Sequence, residues 1–167
     1  MVNDYSLELI DFLKSSSNIN NSKWRIPSWL LLNKDFILKN LHSTAIINRY
    51  TIFHDIGKPF CKTIDEKGVV HFFEHEKVSF EIYSKVFNDP IVSRLILKDM
   101  DLHKMKMDNL KDYVMNNKED IITQLIVSLA EIHANASIMG GLETESFKIK
   151  YKKLDKIGKR VIEYLSI

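Results

Sequence analysis

The sequence predicts an all-α fold, and three observations support this prediction. Apolar residues recur every three to four positions over most of the 167 residues, which is the spacing of one buried helix face. Only five glycines and three prolines interrupt the chain, and neither a β-hairpin signal nor an internal repeat is found. Because a chain of this length can bury one substantial core, we predict a single domain over residues 1–167 with about seven helices.

The composition excludes several classes of protein. Hydrophobic residues make up 45% of the chain, but no run approaches the length of about 18 apolar residues that a membrane span needs, and the chain does not open with a signal-peptide pattern. Cys61 is the only cysteine, which rules out an internal disulfide framework and suits a reducing compartment. We therefore expect a cytoplasmic protein with no membrane partner.

The N-terminal part of the chain predicts two helices joined by a polar connector. Residues 5–14 place apolar side chains at helical spacing after Asp4, which is a suitable N-cap. Residues 15–22 are rich in Ser and Asn and predict the connector. The second helix is predicted over residues 27–41, with Pro27 in its first turn.

A third helix is predicted from residue 43 or 44 to Asp55. Gly57 and Pro59 follow it and are typical of a helix end. His54 and Asp55 therefore lie at the C-terminal edge of the helix, where ligands can face a cleft while the helix body stays buried.

Four further helices follow after one irregular loop, which separates the third helix from the next. The loop covers residues 60–73 and carries a turn signal and a brief β-like segment. Helical patterns resume at Glu74 and again after Pro90. The strongest periodicity lies in residues 121–136, and residues 142–167 predict a basic C-terminal helix.

The motif that indicates function is the run His54-Asp55-Ile56-Gly57-Lys58-Pro59, followed by aromatic residues that lead into His75-Glu76. An imidazole beside a carboxylate is the ligand mix that hard or borderline divalent ions take from proteins. With these residues, the stretch from Ile47 to Val86 resembles the HD superfamily of metal-dependent phosphohydrolases. Within it, the stretch from Phe53 to Ile82 more closely resembles the HD domains of tRNA nucleotidyltransferases and of some bacterial polynucleotide kinases. The resemblance implies an all-α, HD-type helical domain.

The resemblance also implies a set of metal ligands. Since a metal-dependent hydrolase needs three or more ligands from different helices, His54 and Asp55 require partners. His75 matches the histidine of the family's aromatic-x-His-Glu pattern, with a helix-capping or surface histidine as the alternative. His103 stands where several HD branches place another histidine, and a surface histidine is again the alternative.

The late part of the family's site is altered in this chain. The family closes its site with an aspartate in a late apolar helix, where this chain has Glu131, whose extra methylene displaces the carboxylate by about 1.5 Å. His133 is the alternative ligand if the helix face is rotated.

The family's first histidine has no clear equivalent, because His42 precedes His54 by twelve positions (54 − 42), or about 18 Å in continuous helix. Either the domain binds one metal through fewer ligands, or it has lost the standard site.

Several basic residues are candidates for substrate contact. The resemblance implies that Lys58 contacts Asp55 or a substrate phosphate. Arg25, beside Trp24, is a candidate for a phosphate and base-stacking contact, with a core tryptophan and surface charges as the alternative. Residues 148–160 contain seven Lys or Arg against one acid, which indicates either a solvated helix face or a phosphate-binding surface.

We expect a divalent-metal-dependent phosphohydrolase that acts on nucleotide or RNA-end phosphoesters by in-line attack of metal-bound water, with Asp55 and Lys58 as catalytic residues. The resemblance points to 2′-phosphates, 2′,3′-cyclic phosphates and nucleotide monophosphates as substrates. The ligand types accept manganese, nickel, cobalt, iron, zinc or magnesium. The chain has no nucleotidyltransferase or Walker motif, so that a separate nucleotidyltransferase or kinase chain would supply any partner activity.

Two other functions fit the sequence. A degenerate HD fold that lacks the first histidine would act as a nucleotide- or RNA-binding module without hydrolytic activity. A structural or inhibitory partner protein would use the basic C-terminal helix. Bound metal would favour the enzyme, and salt-sensitive RNA binding without metal would favour the module.

Overall fold

The computed structural model describes residues 1–15, 19–20 and 22–166. Within these residues the helices are α1 (Val2–Lys14), α2 (Ser28–Leu32), α3 (Lys34–Asn40), α4 (Thr44–Phe53), α5 (His75–Val86), α6 (Pro90–Leu97), α7 (Asp101–Lys104), α8 (Leu110–Asn116), α9 (Ile121–Ile138) and α10 (Glu145–Leu165). Short 3-10 turns cover Lys58–Phe60 and Met107–Asn109. The all-α prediction is confirmed, whereas the predicted connector, residues 15–22, lies partly outside the described residues.

The predicted second helix is two helices, because Asn33 interrupts it. The backbone of Asn33 leaves the helical region with φ −123° and ψ 28°. Its side-chain amide donates a hydrogen bond of 2.8 Å to the carbonyl of Trp29, which closes the end of α2. The prediction of one continuous helix over residues 27–41 was wrong, since a short polar side chain here competes with the helical hydrogen-bond pattern.

Two short helices lie in the segment that sequence periodicity did not assign. α7 has four residues and buries Leu102, and α8 has seven residues and buries Leu110 and Val114. Helices of one or two turns contain too few apolar positions for a period of 3.6 to be recognised. These two helices and the split at Asn33 explain why the described chain has more helices than the seven expected.

Residues 62–72 form a β-hairpin within the predicted loop, residues 60–73. Its strands, β1 (Lys62–Ile64) and β2 (Val70–Phe72), pair antiparallel. Asp65 organises the turn, because its Oδ1 accepts hydrogen bonds of 2.9 Å from the backbone N–H groups of Lys67 and Val69, and Gly68 supplies a φ of +76°. The expectation of no hairpin was wrong because both strands are largely exposed and lack the alternating pattern that marks a half-buried strand.

The core is built around α9. This helix packs against α1, α3, α4, α7 and α10, and every residue from Ile121 to Ala130 is buried. By length and composition α9 is apolar enough to cross a membrane, but 78% of it is buried inside the structure. A helix that is apolar all round and covered on every side is a central core helix.

Candidate functional site

His54 and Asp55 lie in the turn directly after α4. The backbone N–H of His54 donates to the carbonyl of Tyr50 at 2.8 Å and makes the last helical hydrogen bond. The His54 ring is buried, and its Nδ1 lies 2.8 Å from the carbonyl of Thr51. Since only a protonated Nδ1 can donate to that carbonyl, the neutral ring carries its lone pair on Nε2. This Nε2 has no hydrogen-bond partner in the described chain.

His75 begins α5 and faces the same carboxylate. Its Nδ1 donates to the carbonyl of Phe72 at 2.9 Å, so that Nε2 is the ring nitrogen that faces Asp55. The Nε2 of His75 lies 3.3 Å from Oδ1 of Asp55, and the Nε2 of His54 lies 3.3 Å from Oδ2 of the same residue. The carboxylate of Asp55 therefore lies between two imidazole nitrogens.

Two backbone features hold His75 in this position. Glu74 has a φ of +56°, which is rare for a non-glycine residue and reverses the chain between β2 and α5. Gly57 lies against the first turn of α5, where its N–H donates to the Ser79 hydroxyl at 2.9 Å. A Cβ at Gly57 would lie 2.6 Å from both the His75 carbonyl oxygen and the Ser79 nitrogen.

The role of Gly57 therefore differs from the one that the sequence suggested. Its φ is −78°, so that it does not supply the left-handed conformation of a helix stop. Glycine is needed instead for the close approach of the His-Asp turn to α5.

The Asp55 carboxylate is ionised at neutral pH. Burial acts to raise the pKa of Asp55, but His75, His54 and Lys58 outweigh burial and hold the pKa at about 2. The ammonium group of Lys58 lies 2.6 Å from Oδ2. Asp55 in turn raises the pKa of His75. Two imidazole groups and one ammonium group therefore surround this anion.

His103 on α7 and Glu131 on α9 form a second imidazole–carboxylate pair, with 2.9 Å between Nε2 and Oε2. Burial acts to raise the pKa of Glu131, but His103 and, with a smaller effect, His54 lower it. The charge of Asp55 also acts on Glu131. This second pair therefore lies within electrostatic range of the first.

Asp99 is a buried carboxylate at this site that sequence reasoning missed. Its Oδ1 accepts a hydrogen bond of 2.5 Å from the Tyr50 hydroxyl, and its Oδ2 has no partner in the described chain. Burial raises the pKa of Asp99 to about 6, with Glu131 adding to the rise and His54 opposing it. The available signal was an acid just after the apolar helix α6, which is the arrangement that singled out His54 after α4.

The cluster contains three imidazoles and three carboxylates, which are His54, Asp55, His75, Asp99, His103 and Glu131. Among the described residues, no group of three or more His, Cys, Asp or Glu side chains is already arranged to hold a metal ion. The donors face one another in imidazole–carboxylate pairs at 2.9 to 3.3 Å. Two donors on one ion at about 2.1 Å are about 3.0 to 3.4 Å apart.

Three buried atoms of the cluster lack hydrogen-bond partners among the described residues and indicate that the cluster suits a cation. The Nε2 of His54, Oδ1 of Asp55 and Oδ2 of Asp99 are buried without a hydrogen-bond partner in the described part of the chain. Buried lone pairs without a partner are costly, and imidazole nitrogen and carboxylate oxygen are ligands for a divalent cation. The residues present therefore fit such an ion after side-chain rotation.

Lysines from three different elements contact the cluster or its neighbours. Besides Lys58, the ammonium group of Lys104 lies 2.7 Å from Oε1 of Glu76, the buried residue after His75. The ammonium group of Lys153 on α10 donates to the carbonyl of His103 at 2.6 Å. We call Lys58, Lys104 and Lys153 the lysine rim.

The structure does not bring Arg25 together with the cluster. Its guanidinium group lies 2.8 Å from Oε1 of Glu143 and faces the rings of Phe147 and Tyr151 on α10. The neighbouring Trp24 is a core residue with 2% of its surface exposed. The core alternative for the tryptophan is therefore the one observed.

His133 is a core histidine whose two ring nitrogens are both used within the protein. Its Nδ1 donates to the carbonyl of Leu129 at 2.7 Å, and its Nε2 accepts from the backbone N–H of Arg25 at 3.1 Å. The ring packs on Trp24 with 4.7 Å between ring centres. Burial lowers the pKa of His133 to about 4. Glu131 and His133 were the two alternative ligands on this helix, and of these two only Glu131 contacts another member of the cluster.

Mild acid is expected to destabilise the protein through His133. Its pKa is about 4 in the folded protein, against an ordinary value of 6.5, so the unfolded chain binds the proton first as pH falls. The stability contribution of the neutral ring is present above pH 6.5 and is lost towards pH 4, with about 2 kcal/mol lost between pH 7.5 and pH 5. Urea unfolding at both pH values measures this loss. The variant His133→Gln should lose this part of the pH dependence of stability. The control His71→Gln, at a half-exposed position, should keep it. Equal pH dependence of stability in wild type and both variants would show that His133 is not the group that titrates.

His42 lies elsewhere in the fold. Its Nε2 is 2.9 Å from Oδ1 of Asp120, which also binds the Arg94 guanidinium group. Asp120 precedes the first turn of α9, and Glu131 follows eleven residues later (131 − 120), or about 16 Å along the helix. His42 therefore stabilises the opposite end of α9 and does not join the cluster.

Comparison with known proteins identifies the family. Neither the curated proteins nor the solved structures gave a match. HD domains are generally metal-dependent hydrolases that bind divalent ions, although some are inactive. The family model of the HD domain matches residues 42–136, a stretch that includes all six members of the cluster. Because this match covers more than half of the 167 residues, the chain belongs to the HD-domain family.

Proposed function

We propose that this protein is a divalent-metal-dependent phosphohydrolase that acts on nucleotide or RNA-end phosphoesters. The observation that carries the proposal is the corner formed by His54, Asp55 and His75. There, a carboxylate whose pKa His75, His54 and Lys58 hold at about 2 lies 3.3 Å from the Nε2 atoms of both histidines, and the Nε2 of His54 is buried without a hydrogen-bond partner in the described chain. Such a set of donors is suited to a cation and has no evident purpose in the core.

In this proposal His54, Asp55 and His75 hold the ion, with His103, Glu131 and Asp99 as further donors from α7, α9 and the end of α6. The backbone carbonyls of Thr51 and Phe72 fix the tautomers of the first two histidines, as hydrogen bonds behind metal ligands commonly do. A divalent ion, when bound, supplies an activated water and polarises a phosphoryl oxygen.

The lysine rim positions the substrate. An ammonium group has three N–H donors, and the contact between Lys58 and Asp55 occupies one of them. Its other donors can bind phosphoryl oxygens and offset the negative charge that develops during phosphoryl transfer. Cationic groups next to a cation site favour a substrate with more than one negative charge, which a phosphomonoester has.

The finer substrate class follows from the sequence resemblance. The sequence resembles the HD domains of tRNA nucleotidyltransferases and polynucleotide kinases. The first substrates to assay are therefore 2′-phosphates, 2′,3′-cyclic phosphates and nucleotide monophosphates. A separate nucleotidyltransferase or kinase chain is the corresponding partner. Manganese, nickel, cobalt, iron, zinc and magnesium are the ions to supply, because imidazole and carboxylate ligands accept all of them.

Elemental analysis combined with an activity panel tests this function. Wild type, Asp55→Ala and the control Asp65→Asn, at a hairpin position where the amide oxygen can still accept the hydrogen bonds of the turn, are dialysed without chelator and measured by mass spectrometry. We expect near-stoichiometric metal and phosphoester hydrolysis in wild type and control, and loss of both in Asp55→Ala. Neither metal nor hydrolysis in wild type, even after incubation with each ion, would overturn the proposal.

A second candidate function is nucleotide or RNA binding without hydrolysis. The observation that favours it is the position of His42, which pairs with Asp120 at the far end of α9 and leaves the cluster without the family's first histidine. RNA binding that is salt-sensitive, independent of metal and unaffected by Asp55→Ala would support this candidate.

A further inference from the structure

The exposed side of α10 carries cations that the protein itself does not neutralise. Residues 148–160 contain seven Lys or Arg and one acid. Lys148, Lys159 and Arg160 form ion pairs with acidic neighbours. Lys150, Lys152 and Lys156 are exposed and have no acidic partner among the described residues. An isolated lysine of this kind is ordinary, but three on one helix form a local excess of positive charge.

This excess of charge extends to the edge of the candidate site. Lys152 and Lys156 are four residues apart and Lys153 and Lys156 are three apart, so that these side chains lie on one side of the helix. Lys153 contacts the carbonyl of His103 at 2.6 Å, and the ring of His103 pairs with Glu131. We define Lys152, Lys153 and Lys156 as the lysine face.

We infer that the lysine face binds the backbone of a single-stranded nucleic acid and directs its terminal phosphate to the cluster. Binding to the face does not depend on the proposed function, whereas delivery of the phosphate rests on it. The inference makes a prediction about the length of the substrate. The protein should prefer a phosphate at the end of a strand to the same phosphate on a mononucleotide.

The chemistry of the face favours a nucleic acid over a membrane. A helix that lies in a membrane surface inserts an apolar face between lipids. In α10 the apolar residues Phe147, Leu154 and Val161 are buried in the protein, and Ile149 is the one exposed apolar residue between residues 148 and 160. A row of unpaired ammonium groups instead matches a strand with regularly repeated phosphates.

Binding is tested with a fluorescein-labelled single-stranded RNA of 12 nucleotides in the presence of EDTA, so that the result does not depend on metal. Each lysine that neutralises a phosphate contributes about 0.7 to the slope of log K against log salt. We therefore expect Lys152→Ala with Lys156→Ala to reduce this slope by about 1.4 and to weaken binding at low salt at least tenfold. The matched control is Lys39→Ala with Lys85→Ala, which removes the same charge from exposed positions on α3 and α5 and should change neither quantity.

Kinetics test delivery of the phosphate. For the same RNA with a terminal phosphate, the α10 double variant should show a raised KM and an unchanged kcat, while kcat/KM for a mononucleotide stays at the wild-type value. An unchanged salt slope in the double variant would overturn the inference. The inference would also be overturned if the wild-type protein bound vesicles of phosphatidylcholine and phosphatidylserine without RNA and the double variant lost this binding. RNA binding that depends on the lysine face in a protein that hydrolyses nothing would support the binding surface and refute only the proposed function.

Discussion

Asp55→Ala is expected to lower kcat/KM for phosphoester hydrolysis by about 1000-fold. The carboxylate lies between the Nε2 atoms of His54 and His75 and contacts Lys58 at 2.6 Å, so that its removal takes away the one anion that these three groups share. Loss of a metal-based stabilisation of about 4 kcal/mol corresponds to this factor. Initial rates at saturating manganese, nickel and cobalt measure the effect.

The control for this prediction is Asp65→Asn, which removes the charge and keeps an oxygen for the hydrogen bonds of the turn. Asp65 is also a carboxylate beside a histidine, His71, at 2.9 Å, but it lies in the hairpin turn away from α5 and α9. Its variant should hydrolyse the substrate at the wild-type rate. Activity of Asp55→Ala within tenfold of wild type would place catalysis somewhere other than the cluster.

Gly57→Ala is expected to destabilise the protein by about 3 kcal/mol and to weaken metal binding together with stability. The added Cβ would lie 2.6 Å from the backbone of α5 at two points, and backbone cannot rotate away as the end of a side chain can. Overpacking of this kind costs about 1 to 3 kcal/mol, and the shift of α5 would separate His75 from Asp55. Urea unfolding and isothermal titration with metal measure the two effects.

Gly68→Ala is the control that separates the cost of backbone strain from the cost of the clash between residue 57 and α5. Gly68 has a φ of +76°, but a Cβ there would meet nothing within 4 Å. We expect a loss of about 1 kcal/mol from conformation alone and an unchanged metal affinity. Equal metal affinities in Gly57→Ala and wild type would show that close packing of the turn on α5 does not position His75.

Sequence reasoning worked where the physical signal was repeated or local. The period of α9 extends over five turns, and the predicted helix end at Asp55 lies two residues beyond the observed end of α4 at Phe53 (55 − 53). It did not separate Glu131 from His133 because α9 is buried on nearly every side, so that no polar face shows which way a residue points. Only the partners of the two residues, His103 for one and the backbone of Arg25 for the other, distinguish them.

The residues that were missed depend on contacts distant in sequence or on exposed structure. Asp99 belongs to the site because Tyr50, 49 residues earlier, donates to it, and no local pattern encodes that pairing. In residues 60–73 the sequence showed the turn signal and a brief β-like segment but not the pairing of two strands, because neither strand has a buried face. The position of His42 was constrained by helix geometry, since twelve residues (54 − 42) are too many for two ligands on one helix to meet.

The contact between Gly57 and Ser79 also bears on how the cluster assembles. It joins residues 22 positions apart, and the pair His103–Glu131 spans 28 positions, so that each half of the cluster closes a loop of moderate length. Loop-closure entropy rises only slowly with length, by about 0.6 kcal/mol per doubling, and neither half has to wait for the ends of the chain to meet. The halves join through longer contacts such as Tyr50 to Asp99. The helix α5, which carries His75, also packs on α6, so that the two halves meet through these helices as well.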